Sequence, residues 1–122
     1  MPTTEITKDT FNDTINSNNI VLVDWWAEWC GPCRSFAPVF EEASEKHTDI
    51  VFGKVDTETQ PELAAMARIT SIPTIMAFRE GILIFSQAGA LPGRSLEELI
   101  GKVRDLDMEQ VHAALAAEEQ SG

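Results

Sequence analysis

Hydrophobic positions along this chain change their period several times, and each change marks an element. Residues 5–7 are short enough for an edge strand. Phe11 and Ile15, four apart, suit a short helix that ends before Ser17-Asn18-Asn19. Residues 20–26 form a nearly unbroken apolar run, as in a strand covered on both faces, interrupted by Asp24. From Cys33 to Lys46, Phe36, Val39, Phe40 and Ala43 fall on one side of a predicted helix. Pro38 inside it removes one backbone hydrogen bond, which predicts a bend rather than a stop. Residues 50–55 read as a second buried strand, and Pro61 opens a short helix carrying Leu63 and Met66.

In the second half, residues 74–78 and 82–85 alternate as strands joined by Arg79-Glu80-Gly81, a hairpin spacing with glycine in the turn. Ser95 and Glu98 have capping-box spacing. Leu96, Leu99, Ile100, Val103 and Leu106 then mark an amphipathic helix. Beyond it, Met108, Val111 and Leu115 either line a further short helix capped by Asp107 or belong to an Ala- and Glu-rich stretch that frays, with the last four residues expected to be disordered. Strands alternating with helices, followed by a hairpin and a helix, predict the α/β class: a central mixed sheet flanked by helices on both faces.

Composition narrows the function. With 122 residues the chain fits one domain able to bury its own core. A formal net charge of -11 argues against nucleic acid or anionic lipid as a partner. Part of that excess lies after Arg104, where Asp105, Asp107, Glu109, Glu118 and Glu119 follow without a Lys or Arg; this reads as a solvated tail. No apolar run approaches the ~18 residues of a membrane span. Met1-Pro2-Thr3-Thr4-Glu5 lacks the basic-then-apolar pattern of a signal peptide. Two cysteines are too few for a disulfide-built scaffold, so a reducing, cytoplasmic compartment is expected.

Those two cysteines carry the chemistry. Cys30-Gly31-Pro32-Cys33 lies where a strand feeds the start of a helix, whose free N–H groups and positive dipole end favour a thiolate. The thiolate is the form of sulfur that attacks disulfides. Cys30 is expected at the helix start, partly exposed, and Cys33 one turn deeper. Two other uses fit less well. A static disulfide across so short a loop gains little chain entropy. Zinc needs two further ligands, and only His47 and His112 remain, without paired spacing. No metal and no organic cofactor is therefore assigned, and no glycine-rich dinucleotide motif is present. Asp24, if buried in its apolar strand, has its pKa raised by lost hydration. At an exposed strand end it would be an ordinary polar residue.

The blocks Val21-Leu22-Val23-Asp24-Trp25-Trp26-Ala27-Glu28-Trp29-Cys30-Gly31-Pro32-Cys33, then Ala37-Pro38, Ser71-Ile72-Pro73-Thr74 and Gly89-Ala90, in this order, resemble the thioredoxin family. The resemblance implies a thioredoxin fold over residues 1–106, with residues 107–122 an acidic C-terminal extension. It implies a general protein-disulfide reductase in which Cys30 attacks, Cys33 resolves, Asp24 moves the proton of Cys33 and Lys54 is the partner of Asp24. Trp29, Gly31, Pro32, Ile72, Pro73, Gly89 and Ala90 would form the client-binding rim. A cis Ile72–Pro73 bond would present the backbone of Ile72 to a client strand. In the family a Gly-Pro spacer goes with reductants. The electron source implied is an NADPH-dependent flavoprotein, thioredoxin reductase. The implied clients are disulfide-bearing proteins such as peroxiredoxins, methionine sulfoxide reductases and ribonucleotide reductase, met by a monomer. Trp25 stands where the family usually has Phe or Tyr, and Thr57 where an aliphatic residue is common. Trp26 fits either core packing or the site. A disulfide oxidase or isomerase, and a binding subunit that uses the fold without its redox chemistry, are the competing readings.

Overall fold

The computed structural model describes residues 2–121. Its elements are β1 (Thr3–Glu5), α1 (Phe11–Asn16), β2 (Ile20–Trp26), α2 (Gly31–Lys46), β3 (Val51–Asp56), α3 (Pro61–Met66), β4 (Thr74–Arg79), β5 (Ile82–Ala88), α4 (Gly93–Asp105) and α5 (Met108–Ser121). The strands form one five-stranded sheet in the order β1-β3-β2-β4-β5. β1, β3 and β2 run parallel, and β4 and β5 are antiparallel to their neighbours. The mixed α/β sheet expected from the sequence is the one found.

Alternation along β2 builds both cores. Ile20 and Leu22 point to one face, where Phe36 and Phe40 of α2 and Leu96 and Ile100 of α4 close over them. Val21, Val23 and Trp25 point to the other face, against Ile15 of α1 and Leu63 of α3. Both faces are thus covered, which is why β2 reads as a continuous apolar run. Asp24 lies on the first face, where α2 packs.

The ends of several elements differ from the sequence reading. β1 lies two residues earlier than residues 5–7. Pairing runs on as far as Ile6, whose N–H donates to the Lys54 carbonyl at 2.8 Å, but the N–H of Thr7 is taken by Thr10 Oγ1 at 3.0 Å, which begins a turn. α2 starts at Gly31 rather than Cys33, because Pro32 is pre-set for a first helical turn. It continues through Pro38. The capping box does not form: α4 starts at Gly93 with Pro92 as its N-cap and no side-chain cap. Leu91 is buried in the core immediately before it, so the chain turns into the helix ahead of Ser95. In the hairpin, Glu80 and Gly81 both have positive φ (51° and 79°), the backbone twist that suits a two-residue connection. α5 is longer than a short helix. Asp107 Oδ1 accepts from the N–H groups of Glu109 and Gln110 at 3.1 and 3.3 Å, as a cap does. An Ala- and Glu-rich sequence of high helix propensity carries the helix through Glu119 and Gln120 to Ser121, where disorder was expected. Gly122 lies outside the described residues.

Candidate active site

β2 delivers Cys30. Past Trp26 the chain leaves the sheet, the N–H of Cys30 donates to the Ala27 carbonyl at 3.2 Å, and α2 begins with Cys30 as its N-cap in extended conformation. Cys30 and Cys33 are joined by a disulfide, their Cα atoms 5.2 Å apart. The backbone N–H of Cys33 donates to Cys30 Sγ at 3.2 Å. An N-cap Ser or Asp oxygen normally takes that place, so the sulfur of Cys30 stands in for a capping oxygen. In the reduced state the same N–H and the positive end of a 16-residue helix favour Cys30 as thiolate.

The two cysteines are equally buried, at 4% and 3% exposure, which corrects the expectation of a partly exposed Cys30. With Ala27 they form a small cluster against which Trp26 and Ile72 pack. What separates them is position: Cys30 caps the helix and Cys33 lies within its first turn. On its far side Cys30 Sγ is 3.8 Å from the carbonyl oxygen of Ile72, at the cis Ile72–Pro73 bond. The Pro73 carbonyl accepts the N–H of Gly89 at 2.7 Å. Gly89 has a φ of +102°, open to glycine without strain, and so the exposed Gly89-Ala90 loop is tied beside Pro73.

Around this point the surface is apolar and accessible. Trp29 is 66% exposed and Pro32 is exposed. Trp29 borders two shallow cavities. One, about 450 Å³, is shared with Glu28, Asp56, Glu58 and Thr59. The other, about 300 Å³, includes Thr57, Ile69, Ser71 and Ile72. Thr57 is held there by its N–H and Oγ1, which donate to the Trp26 carbonyl at 2.9 and 3.2 Å.

Asp24 is fully buried, and among the described residues neither carboxylate oxygen has a hydrogen-bond partner. Lost hydration pushes its pKa up from 3.8 to about 7, against the pull of Lys54. Asp24 and Lys54 are register neighbours on β2 and β3. The Lys54 ammonium lies over the Trp26 ring, 4.9 Å from its centre. Trp26 thus touches both the cysteine cluster and Lys54. The sequence reading left it between core and site, although its spacing of two from Asp24 already put both on one face of β2.

A redox disulfide at a helix N-terminus, just past the end of the central strand of a mixed five-stranded sheet, defines a protein-disulfide oxidoreductase. The thioredoxin profile matches residues 2–102. A putative thioredoxin 2 of Streptomyces coelicolor is 53% identical over 96% of this chain and 87% of its own length. The uncovered part is shorter than the segment after Leu106, so that match runs into α5. The solved structure of Plasmodium falciparum thioredoxin is 38% identical and superposes with a TM-score of 0.76 over 81% of this chain and 97% of its own. A bifunctional thioredoxin reductase/thioredoxin of Mycobacterium leprae is 49% identical over 58% of this chain and 16% of its own length. The chain belongs to the thioredoxin family, and its fold is the thioredoxin fold.

Proposed function

We propose that this thioredoxin-family protein is a general reductant of protein disulfides. The observation that carries the reading is the Cys33 N–H aimed at Cys30 Sγ, which selects Cys30 as the stabilised thiolate. Cys30 attacks one sulfur of a client disulfide. The client S–S bond breaks, a Cys30–client bond forms, and the first client sulfur leaves and takes up a proton. Asp24, as carboxylate, accepts the proton of Cys33. The Cys33 thiolate attacks Cys30 Sγ and expels the second client sulfur, which is protonated in turn. The client gains two electrons and two protons, and the Cys30–Cys33 disulfide forms. Lys54 is the charge opposite Asp24. Trp29, Gly31, Pro32, Ile72, Pro73, Gly89 and Ala90 form the client rim, with the backbone of Ile72 free to pair with an extended client segment.

An NADPH-dependent flavoprotein thioredoxin reductase returns the dithiol; the fusion of the two activities in the Mycobacterium leprae relative supports that partner. Peroxiredoxins, methionine sulfoxide reductases and ribonucleotide reductase fit as clients because each cycles through a disulfide. No described helix is long and apolar enough to cross a membrane. A reductant works where the surroundings keep it reduced, which favours the cytoplasm. Residues 1–106 hold all of these groups, and residues 107–122 are an extension within which Met108–Ser121 form an appended helix. Insulin reduction coupled to NADPH and purified reductase tests the scheme. NADPH consumption should depend on this chain and vanish in Cys30→Ser. Consumption that survives the substitution overturns the assignment.

A further inference from the structure

Lys54 has several acids within reach and pairs with none of them. It is the register neighbour of Asp24 on one side and of Glu5 on the other. It opens into a cavity of about 510 Å³ that is also lined by Glu41 and Asp56. Among the described residues no ion pair joins it to any of these four carboxylates, and its ammonium lies instead over the face of Trp26. Two of the acids are engaged elsewhere: Glu41 Oε2 accepts from Thr3 Oγ1 at 3.0 Å, and Asp56 Oδ1 from the Glu58 N–H at 2.9 Å. Neither carboxylate oxygen of Asp24 accepts a hydrogen bond among the described residues. A half-buried ammonium in register with an unpartnered buried carboxylate would normally close into a pair, so something holds the lysine back. The geometry points to the indole.

We infer that Trp26 is a positioning residue: its ring holds the Lys54 ammonium off Asp24, leaving the buried carboxylate without a partner and able to exchange a proton. A ring face attracts an ammonium without neutralising it. Lys54 therefore stays charged and nearby, and still acts on Asp24 through space, but does not form the direct bond that would fix Asp24 in its ionised form. Trp26 also packs on the Cys30–Cys33 cluster. A client or a redox change that moves the ring would thus alter how firmly Lys54 is withheld, linking the state of the cysteines to the proton carrier. This rests on Asp24 being that carrier, but the ring's hold on Lys54 can be tested separately.

The test is a carboxyl-carbon NMR titration of Asp24 in the oxidised protein, where the cysteines do not ionise. Besides Lys54 on β3, the register neighbour of Asp24 is uncharged Ile75 on β4, and the charged groups around Lys54 itself are Glu5 on β1, Asp56 on β3 and Glu41 on α2. Trp26→Leu should lower the Asp24 midpoint by about one pH unit, because Lys54 is released to pair with it. Trp26→Phe, which keeps a ring, should lower it less. In a Lys54→Met background Trp26→Leu should leave the midpoint where Lys54→Met put it. An equal shift with and without Lys54, or no shift in either, overturns the proposal by showing that the ring acts through packing or not at all. If Trp26→Leu does not fold, the parent protein decides. The Lys54 side-chain protons should show an upfield ring-current shift at pH 5 that shrinks as Asp24 ionises; its absence at pH 5 overturns the proposal. A Trp26 effect on the midpoint without any effect of Asp24→Asn on insulin reduction would instead sink the assignment of Asp24 as carrier.

Discussion

Asp24 is the residue at which burial and charge are most opposed. Its folded pKa of about 7 lies above the ordinary 3.8, so the folded state holds a proton that the unfolded chain releases. The contribution of Asp24 to stability is therefore fully present below pH 4 and is lost as pH rises through 7, by on the order of 4 kcal/mol across that window. Asp24→Asn removes the titration. Its melting temperature should be flatter than the parent's between pH 4 and 8 and higher at pH 8, with slower insulin reduction. Melting curves at several pH values check this, and parallel curves for the two proteins contradict it. The cysteines divide labour at the same scale. Cys33→Ser leaves Cys30 free to attack and nothing to resolve, so it should accumulate client adducts that dithiothreitol releases. Cys30→Ser should accumulate few. Non-reducing electrophoresis with mass spectrometry reads both, and the reverse pattern would exchange the roles.

At the scale of elements, α4 and α5 depend on contacts made well outside themselves. Arg79, at the end of β4, shares Nη1 among the carbonyls of Val103, Arg104 and Leu106 at 2.8, 3.1 and 3.1 Å, which closes the C-terminus of α4. A charged donor on otherwise open carbonyls contributes about 1.5–3 kcal/mol. Arg79→Met, which keeps an apolar stem, should lower unfolding stability by about that much. The reduction potential should not move, because the site lies elsewhere; urea unfolding and a glutathione titration separate the two. α5 hangs on less. Met108 is buried and Val111 half-buried, His112 Nε2 meets Glu80 Oε1 at 2.9 Å, and Leu115 is exposed. Truncation after Leu106 should cost a few kcal/mol at most, at about 1.5–3 kcal/mol per fully buried apolar side chain. Insulin reduction should be retained. Its loss in a folded truncation would make α5 part of the functional site. Both helices and the hairpin were legible in the sequence, whereas the contacts that Arg79 makes with α4 and Glu80 with α5 were not. A stripe is written in neighbouring residues, and these partners are set by which strand end the sheet brings near.

For the whole molecule the dominant quantity is charge. A net -11 raises the local concentration of cationic clients and lowers that of anionic ones. Glu28, Asp56 and Glu58 bring that field up to Trp29, beside the reactive cysteines. Reduction of a disulfide peptide flanked by lysines should slow as salt rises from 20 to 500 mM, and one flanked by glutamates should speed up, since the screening length falls from ~20 Å to a few Å over that range. Equal salt responses for the two peptides, followed in stopped flow, would show that the field does not reach the encounter.

The sequence by itself determined whatever depends on neighbours. A nearly unbroken apolar run along residues 20–26 marks a strand covered on both faces with Asp24 inside it, and a strand running into Cys30-Gly31-Pro32-Cys33 puts a sulfur at a helix N-terminus. Ser95 and Glu98 show the limit of that reasoning, since the spacing of a capping box is present and the chain turns into its helix earlier to bury Leu91. Only the tertiary structure decided what the sulfur and the carboxylate meet. The Ile72 carbonyl that faces Cys30 lies 42 residues away along the chain. Lys54 reaches Asp24 through the pairing of β2 with β3, yet rests on Trp26. The burial of Cys30 likewise depends on Ile72 closing over it. Such contacts follow from strand order and from competition among several partners for one group, and neither is expressed in local spacing.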